Sequence, residues 1–232
     1  PARDGPVEVA FYGSSAFRIT SPKGVSVMID QWRNHPSRTW DWYFKDFPIT
    51  AVDIGVSTHA HFDHDALHRL DAHVLLDRLI GMYSFGDMTI YGLADKHAVD
   101  SSCNIYDFKK IHKHFHGTDV EPPNNPRSWD HCLIVVETGG MRIVHWGDNR
   151  HNPPDEIWKA LGQIDIALLP VDASQHVMGY VHVEAITERL KPRIVVLHHY
   201  YIWDVLQRQS TLQTAEAWVA EREVVERIAG PS

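Results

Sequence analysis

The stretch His59-Ala60-His61-Phe62-Asp63-His64 decides how this chain folds. It follows Ala51 to Ser57, an apolar run that reads as a short strand, and it precedes Asp65 to Leu70, which reads as the opening of a helix. Three imidazoles and a carboxylate therefore crowd a single strand-to-helix loop. His59 and His61, two positions apart, are spaced to chelate one ion. Asp63 and His64 can point at a second ion a few ångströms away. Dense nitrogen and oxygen ligands of this kind suit zinc, iron or manganese. A solvated polar loop is the plain alternative, but clusters of this density are rare by chance.

Working outward, Val7 to Tyr12, Ala16 to Thr20 and Val25 to Ile29 read as three strands, joined by Gly13-Ser14-Ser15 and Ser21-Pro22-Lys23-Gly24. Beyond the histidine loop, Val74 to Leu76, Met88 to Tyr91 and part of Ile105 to Phe115 read as strands. Cys132 to Glu137 and Met141 to Trp146 form a hairpin around Gly139-Gly140. Pro153 to Leu161 and Val183 to Leu190 read as helices, Ile164 to Pro170 as a buried strand, Ile194 to Leu197 as a last strand, and Thr211 to Ala229 as a last helix. Strands come first and strand–helix alternation follows, with no repeat and no linker. This predicts one α/β domain over residues 1–232, with two sheets and helices outside.

Composition fits that reading. The chain has 232 residues, 44% hydrophobic and 22% charged, which excludes disorder, collagen and coiled coil. No apolar run approaches the ~18 residues of a membrane span, so no membrane partner is expected. Lys and Arg number 22 against 30 Asp and Glu, a net charge of −8, so no nucleic-acid partner is expected either. Two cysteines, Cys103 and Cys132, cannot build a disulfide framework, and Pro1 to Gly5 lacks the apolar stretch of a signal peptide. A cytoplasmic location is the expectation. The unusual count is histidine, 17 in all.

The histidine loop resembles the HxHxDH signature of the metallo-β-lactamase superfamily. More narrowly, the chain resembles the branch that includes ascorbate-6-phosphate lactonase and related metal-dependent hydrolases. Other segments fall in the order of that family: Tyr12-Gly13-Ser14-Ser15, Val27-Met28-Ile29-Asp30, His116-Gly117, Trp146-Gly147-Asp148, Leu168-Leu169-Pro170 followed by Met178-Gly179, and Leu197-His198-His199-Tyr200. The likeness spans about residues 7–205 and implies an αββα sandwich with a metal site at one edge between the sheets. It implies two divalent metal ions, zinc ahead of manganese. One would take His59, His61 and His116, the other Asp63, His64 and His199, with Asp148 bridging. A water shared by the two ions is the implied nucleophile, and Asp63 and Asp148 are the implied catalytic carboxylates. Asn149 stands where Thr is usual. Ala60 and Phe62 lack the Glu of flavodiiron-type relatives, which takes weight from an iron–oxygen role.

Two histidines compete for the third ligand position of the first ion. His116 ends a strand-like stretch and is followed by Gly117 and a loop rich in Pro and Asn, which lets the backbone turn away while the ring faces the metals. His131 starts the hairpin strand and is assigned to the pocket instead. His35, His68, His73 and His97 read as ordinary surface or core residues. His198 and His199 point oppositely on extended backbone, and the resemblance favours His199.

Candidates for substrate contact come from two places. Trp32, Trp40, Trp42, Tyr43, Phe44 and Phe47 crowd the segment after Asp30, where they would line an apolar pocket or cap the core. Arg33, in the same segment, would hold a carboxylate or phosphate, or pair with Asp41 or Asp46. Asp172, His176 and His182 follow Pro170, and one of them would serve as proton donor to the leaving group. The leading function is a binuclear metal-dependent hydrolase of a small molecule with a lactone, ester or amide bond. A phosphodiesterase or nuclease of the same superfamily, and a non-hydrolytic metal-binding or redox protein, are the alternatives. Nothing in the sequence sets the oligomeric state, and a homo-oligomer is left open.

Overall fold

Alternating apolar residues dominate the first third of the chain, and they form strands. The computed structural model describes residues 5–34, 43, 45–98, 130–173, 177–200, 212, 214–223 and 225. His116, Trp40, Trp42, Phe44 and His176 lie outside these residues, as does the strand expected within Ile105 to Phe115.

Five strands make the first sheet: β1 (Glu8–Phe11), β2 (Phe17–Thr20), β3 (Ser26–Ile29), β4 (Thr50–Ser57) and β5 (Leu70–Asp77), side by side in that order. The first two pairings are antiparallel; β3 with β4 and β4 with β5 are parallel. The second sheet runs β11-β10-β9-β8-β7-β6. Its strands are β6 (Gly81–Phe85), β7 (Met88–Asp95), β8 (His131–Thr138), β9 (Met141–His145), β10 (Ile166–Pro170) and β11 (Ile194–His198). Strands β6 to β9 pair antiparallel, whereas β9, β10 and β11 are parallel.

The two sheets pack face to face. Phe17, Ile19, Val27, Ile29, Ile54 and Val56 of the first sheet meet Met88, Ile90, Ile134, Val136, Ile143 and Leu168 of the second in one buried cluster. Each such side chain contributes about 1.5–3 kcal/mol on leaving water. The outward face of the second sheet, with Leu133, Val135, Val144 and Leu169, is covered by three helices. These are α1 (Asp155–Leu161), α2 (Tyr180–Leu190) and α3 (Glu216–Ala220), which supply Leu161, Val183, Ile186 and Trp218. Strand β8 is therefore buried on both faces, which is why its sequence, Cys132 to Val136, is an unbroken apolar run. A smaller cluster of Ala16, Met28, Phe47 and Val52 closes the outer face of the first sheet. The architecture is the expected α/β sandwich.

Three local expectations change. The helix expected from Asp65 is a single 3₁₀ turn, Leu67–Arg69, because Leu70 onward pairs with β4 over the whole of β5 and the ladder outweighs helix propensity. Strand β6 was not read from the sequence. It forms a hairpin with β7 in which Phe85 faces Met88 across Gly86-Asp87, with Gly86 at φ 58°. The last helix ends at Ala220, where Arg222 leaves the helix, closes a turn onto Val219 and lays its guanidinium over Trp218. Gly92 on β7 permits one close crossing. A Cβ there would lie 1.7 Å from the Leu79 carbonyl oxygen, so only glycine lets the segment from β5 to β6 lie against β7.

Parallel strands deliver their carboxyl ends to a common edge. In register, Ile29 lies beside Val56 and Pro170 beside His198. Strands β3, β4, β9, β10 and β11 thus bring Asp30, His59, Asp148, Asp172 and His199 toward one edge. In such sheets, ligands bind outside the carboxyl ends of the strands.

Candidate metal centre at the sheet edge

Two groups of ligand-type side chains meet at this edge. His59, His61, His97 and Asp148 form one, and Asp63, His64 and His199 the other; within each group one ligand atom per residue lies within 4.8 Å of the others. Asp148 sits between them. Its Oδ2 is 3.4 Å from Nε2 of His64, of His97 and of His199, and 3.8 Å from Nε2 of His59. Asp63 Oδ2 lies 3.5 Å from Nε2 of both His64 and His199.

These spacings test whether a metal fits. Zinc–nitrogen bonds of about 2.0–2.1 Å place the ligand atoms of a tetrahedral ion about 3.3–3.4 Å apart. The separations found here, 3.4 to 3.8 Å, lie at that value or just above it. Nε2 of His64, Nε2 of His97 and Oδ1 of Asp148 are also buried without a hydrogen-bond partner among the described residues. Such atoms are costly inside a protein unless something binds them. Ligand-type nitrogen and oxygen atoms converging in this way suit a cation.

The surrounding residues hold the ligand rings in the needed orientation. Asp30, at φ 56°, accepts hydrogen bonds from the Thr58 N–H at 2.7 Å and the Thr58 hydroxyl at 2.8 Å. Its Oδ2 also takes the Nδ1 side of His64 at 2.8 Å, so His64 presents Nε2 inward. The Thr58 hydroxyl, already donating to Asp30, meets Nδ1 of His59 at 2.9 Å, which leaves Nε2 of His59 facing the centre. Carboxylate–histidine contacts of this kind fix ring tautomers at metal sites. Asp130 accepts the His97 N–H at 3.0 Å, and the Ala98 N–H donates to the Asp148 carbonyl at 2.7 Å. Asn149, where the resemblance led us to look for Thr, donates through Nδ2 to Asp95 at the end of β7 at 2.8 Å. This bond ties the Asp148 loop to the strand that carries His97.

Charges reflect the crowding. Burial works against the Asp63 carboxylate, yet the His64 and His199 rings hold its pKa well below the ordinary range. Burial also works against a charged His199, but Asp148 and Asp63 raise it to about 9. His61 goes the other way, lowered to about 3 by burial and then by His97.

His97 was read as an ordinary residue, and the structure corrects that. It is buried at the centre beside His59 and His61, in the group of side chains that could hold one ion; His116, expected there, lies outside the described residues. A signal was present: Met88 to Asp95 alternates as a strand, and His97 stands two residues past its end, the same logic applied to His116. His131 is buried, with its ring centroid 5.0 Å from that of His59, and its Nε2 accepts the Asp148 N–H at 3.0 Å. That atom is occupied in holding the loop. His199 reaches the centre because it leaves β11 at φ 54°, with its N–H on the Ser14 carbonyl at 2.8 Å. His198 points away, to Ser15 at 3.0 Å and the His145 ring.

The remaining candidates take several places. Asp172 is fully buried, accepts the N–H groups of Val177 and Met178 at 3.0 Å, and stands 4.0 Å from Nδ1 of His199. Arg33 is held in a two-pronged pair by Asp65, at 2.8 and 3.1 Å; Asp41 lies outside the described residues. Trp32 stacks on Tyr43 at 4.0 Å, stands edge-on to Phe47, and donates to the Tyr12 carbonyl. It packs over the first sheet and is not among the described residues lining the cavity. His182, in the first turn of α2, stacks on His151 at 3.6 Å. A cavity of about 550 Å³ opens on His59, His61 and His97, with Arg78, Ile80 and Cys132 in its wall.

Two packed mixed sheets with a histidine–aspartate centre at the carboxyl ends of their strands define the metallo-β-lactamase fold. The family model described as a beta-lactamase superfamily domain matches residues 8–199, and the chain belongs to that family. It is similar to a UPF0173 metal-dependent hydrolase of Pyrococcus abyssi, with 30% identity over 85% of this chain and 86% of the relative. It is also similar to one of Thermodesulfovibrio yellowstonii, with 22% identity over 97% of this chain and 89% of the relative. Among solved structures it is similar to a Zn-dependent hydrolase assigned to the metallo-beta-lactamase superfamily from Thermotoga maritima. The TM-score there is 0.64, with 16% identity, covering 97% of this chain and 94% of that one.

Proposed function

We propose that this protein is a binuclear metal-dependent hydrolase of a small molecule, cleaving a lactone, ester or amide bond. One observation carries the reading: Asp148 Oδ2 lies 3.4 Å from ligand nitrogens of both groups, His97 on one side and His64 and His199 on the other. His59, His61 and His97 would hold one divalent ion and Asp63, His64 and His199 the other, with Asp148 shared. Zinc is favoured by the imidazole-rich set, and manganese is the second choice. When bound, such a pair of ions makes a water acidic enough to attack at neutral pH and polarises the scissile bond.

The chain's own residues do the rest. Asp30 and Thr58 keep the lone pairs of His64 and His59 directed inward. His131, through the Asp148 N–H, and Asn149, through Asp95, set where the shared carboxylate stands. The cavity beside His97 is within the usual size of a small-molecule site. Relatives named as metal-dependent hydrolases support hydrolysis as the reaction class.

Elemental analysis of the purified chain should find close to two divalent ions per molecule. A panel of lactone, carboxylic ester, amide and phosphodiester substrates then identifies the bond. Asp148→Ala should abolish turnover and cost at least one ion. Full activity in metal-free protein, or full activity with both ions retained in Asp148→Ala, would overturn the reading.

A further inference from the structure

The hydrolase reading leaves open which part of a substrate the cavity grips. Among the described residues that line the cavity, the one cation is Arg78. It follows β5 at φ 53°, a conformation uncommon for a residue with a side chain, and its N–H donates to the Ser57 carbonyl at 2.9 Å. Ser57 ends β4, two residues before His59. The Arg78 backbone is thus anchored to the strand that launches the histidine loop. Positive φ at a non-glycine residue beside a ligand cavity is a known mark of a functional position.

Two other arginines near the centre are committed, among the described residues. Arg33 is forked by Asp65, and Arg150, two residues past Asp148, is forked by Asp95. Arg78 instead pairs with its neighbour Asp77 through Nη2 at 2.7 Å, both side chains being about half exposed at 48% and 45%. A pair so open to water is weak and exchanges readily for another anion. The guanidinium also reaches the cavity wall electrostatically. Burial raises the Cys132 thiol, and the Arg78 charge acts on it in the opposite direction. Asp77 and Asp130 line the same cavity and repel anions from the rest of it.

We infer that Arg78 binds an anionic oxygen group of the substrate, a carboxylate or a phosphate monoester, within the cavity beside His59, His61 and His97. This makes it the residue that selects anionic small molecules over neutral ones. The planar guanidinium fork matches both oxygen geometries. The inference rests on the hydrolase reading for its reaction, but not for its binding.

Mono-4-nitrophenyl succinate and 4-nitrophenyl butyrate have the same acyl length and differ in the terminal charge. The metal-loaded wild type should prefer the succinate in kcat/KM. Arg78→Gln should reduce that preference about 10- to 100-fold, the scale of a lost hydrogen bond to a charged group, and mainly through KM. Arg78→Lys should retain part of it. Gln and Lys carry the same backbone cost as Arg at this φ, so metal content and Tm should match wild type in both variants. Calorimetry with glutarate, 4-phosphonobutyrate and butyrate gives a readout independent of turnover. Weaker glutarate binding in Arg78→Gln, relative to butyrate, supports a carboxylate; weakening confined to the phosphonate supports a phosphate ester. Unchanged binding of both dianions together with an unchanged ester preference would overturn the inference. If neither ester is hydrolysed while the dianion difference persists, the ester reading falls and the anion site stands.

Discussion

Gly147→Ala offers a perturbation whose size follows from the geometry. Gly147 adopts φ 54°, and a Cβ built on it would lie 2.7 Å from Nε2 of His131 and 3.0 Å from the Thr58 hydroxyl. Two costs follow. An alanine in the left-handed region costs about 1–2 kcal/mol. Pushing His131 away breaks its bond to the Asp148 N–H, and a buried group left unsatisfied costs about 1–3 kcal/mol. Together that is about 2–5 kcal/mol, a large share of the ~5–15 kcal/mol that holds a domain together. For a chain of this length it corresponds to a drop in Tm of roughly 4–20 °C. Gly24→Ala is the internal control: its φ is 91°, but a Cβ there meets nothing within 4 Å, so only the backbone cost applies. Any change in unfolded-chain entropy is common to both variants. Thermal unfolding of the two variants, with metal content measured before heating, isolates the His131 contact. If Gly147→Ala melts no lower than Gly24→Ala and keeps its metals, then the His131–Asp148 arrangement is not what requires glycine at this position.

Two further expectations concern single side chains. His97→Ala should weaken one ion by more than the about 10–100-fold typical of residues that merely orient a ligand, as read by chelator competition, whereas His116→Ala should leave both affinities near wild type; the opposite pattern would return the third position to His116. Burial pushes the Cys132 thiol up to about 11, so at pH 8 only about one molecule in a thousand carries the thiolate. Peptide mapping after iodoacetamide should show Cys132 labelled far more slowly in the native than in the urea-unfolded chain, and equal rates would contradict the burial described here.

Much of the centre was legible locally. His59, His61, Asp63 and His64 are close in space because they are close in sequence, on a loop that Ala51 to Ser57 points at the sheet edge. The hairpin around Gly139-Gly140, the buried strand at Ile166 and the edge strand at Ile194 could be read because apolar run length and turn residues are local signals. Positions whose role depends on pairing between distant segments could not. His97 owes its place to the register of β7 against β8, where Asp95 faces His131, and to the bridge between His97 and Asn149. No spacing rule in one dimension distinguishes it from His116. Arg33 looked free to hold an anion until Asp65 folded beside it, and Trp32 looked like a pocket wall until Tyr43 and Phe47 packed onto it. Arg78 carried no sequence signal, because its place in the cavity depends on the crossing that Gly92 allows. By itself the sequence determined which chemistry the edge can hold, since ligand type and loop spacing are covalent properties. That His97 stands beside His59 and His61, that Arg78 faces the cavity and that Trp32 packs on Tyr43 and Phe47 were decided by the tertiary structure, because hydrogen-bond register and sheet packing set those distances.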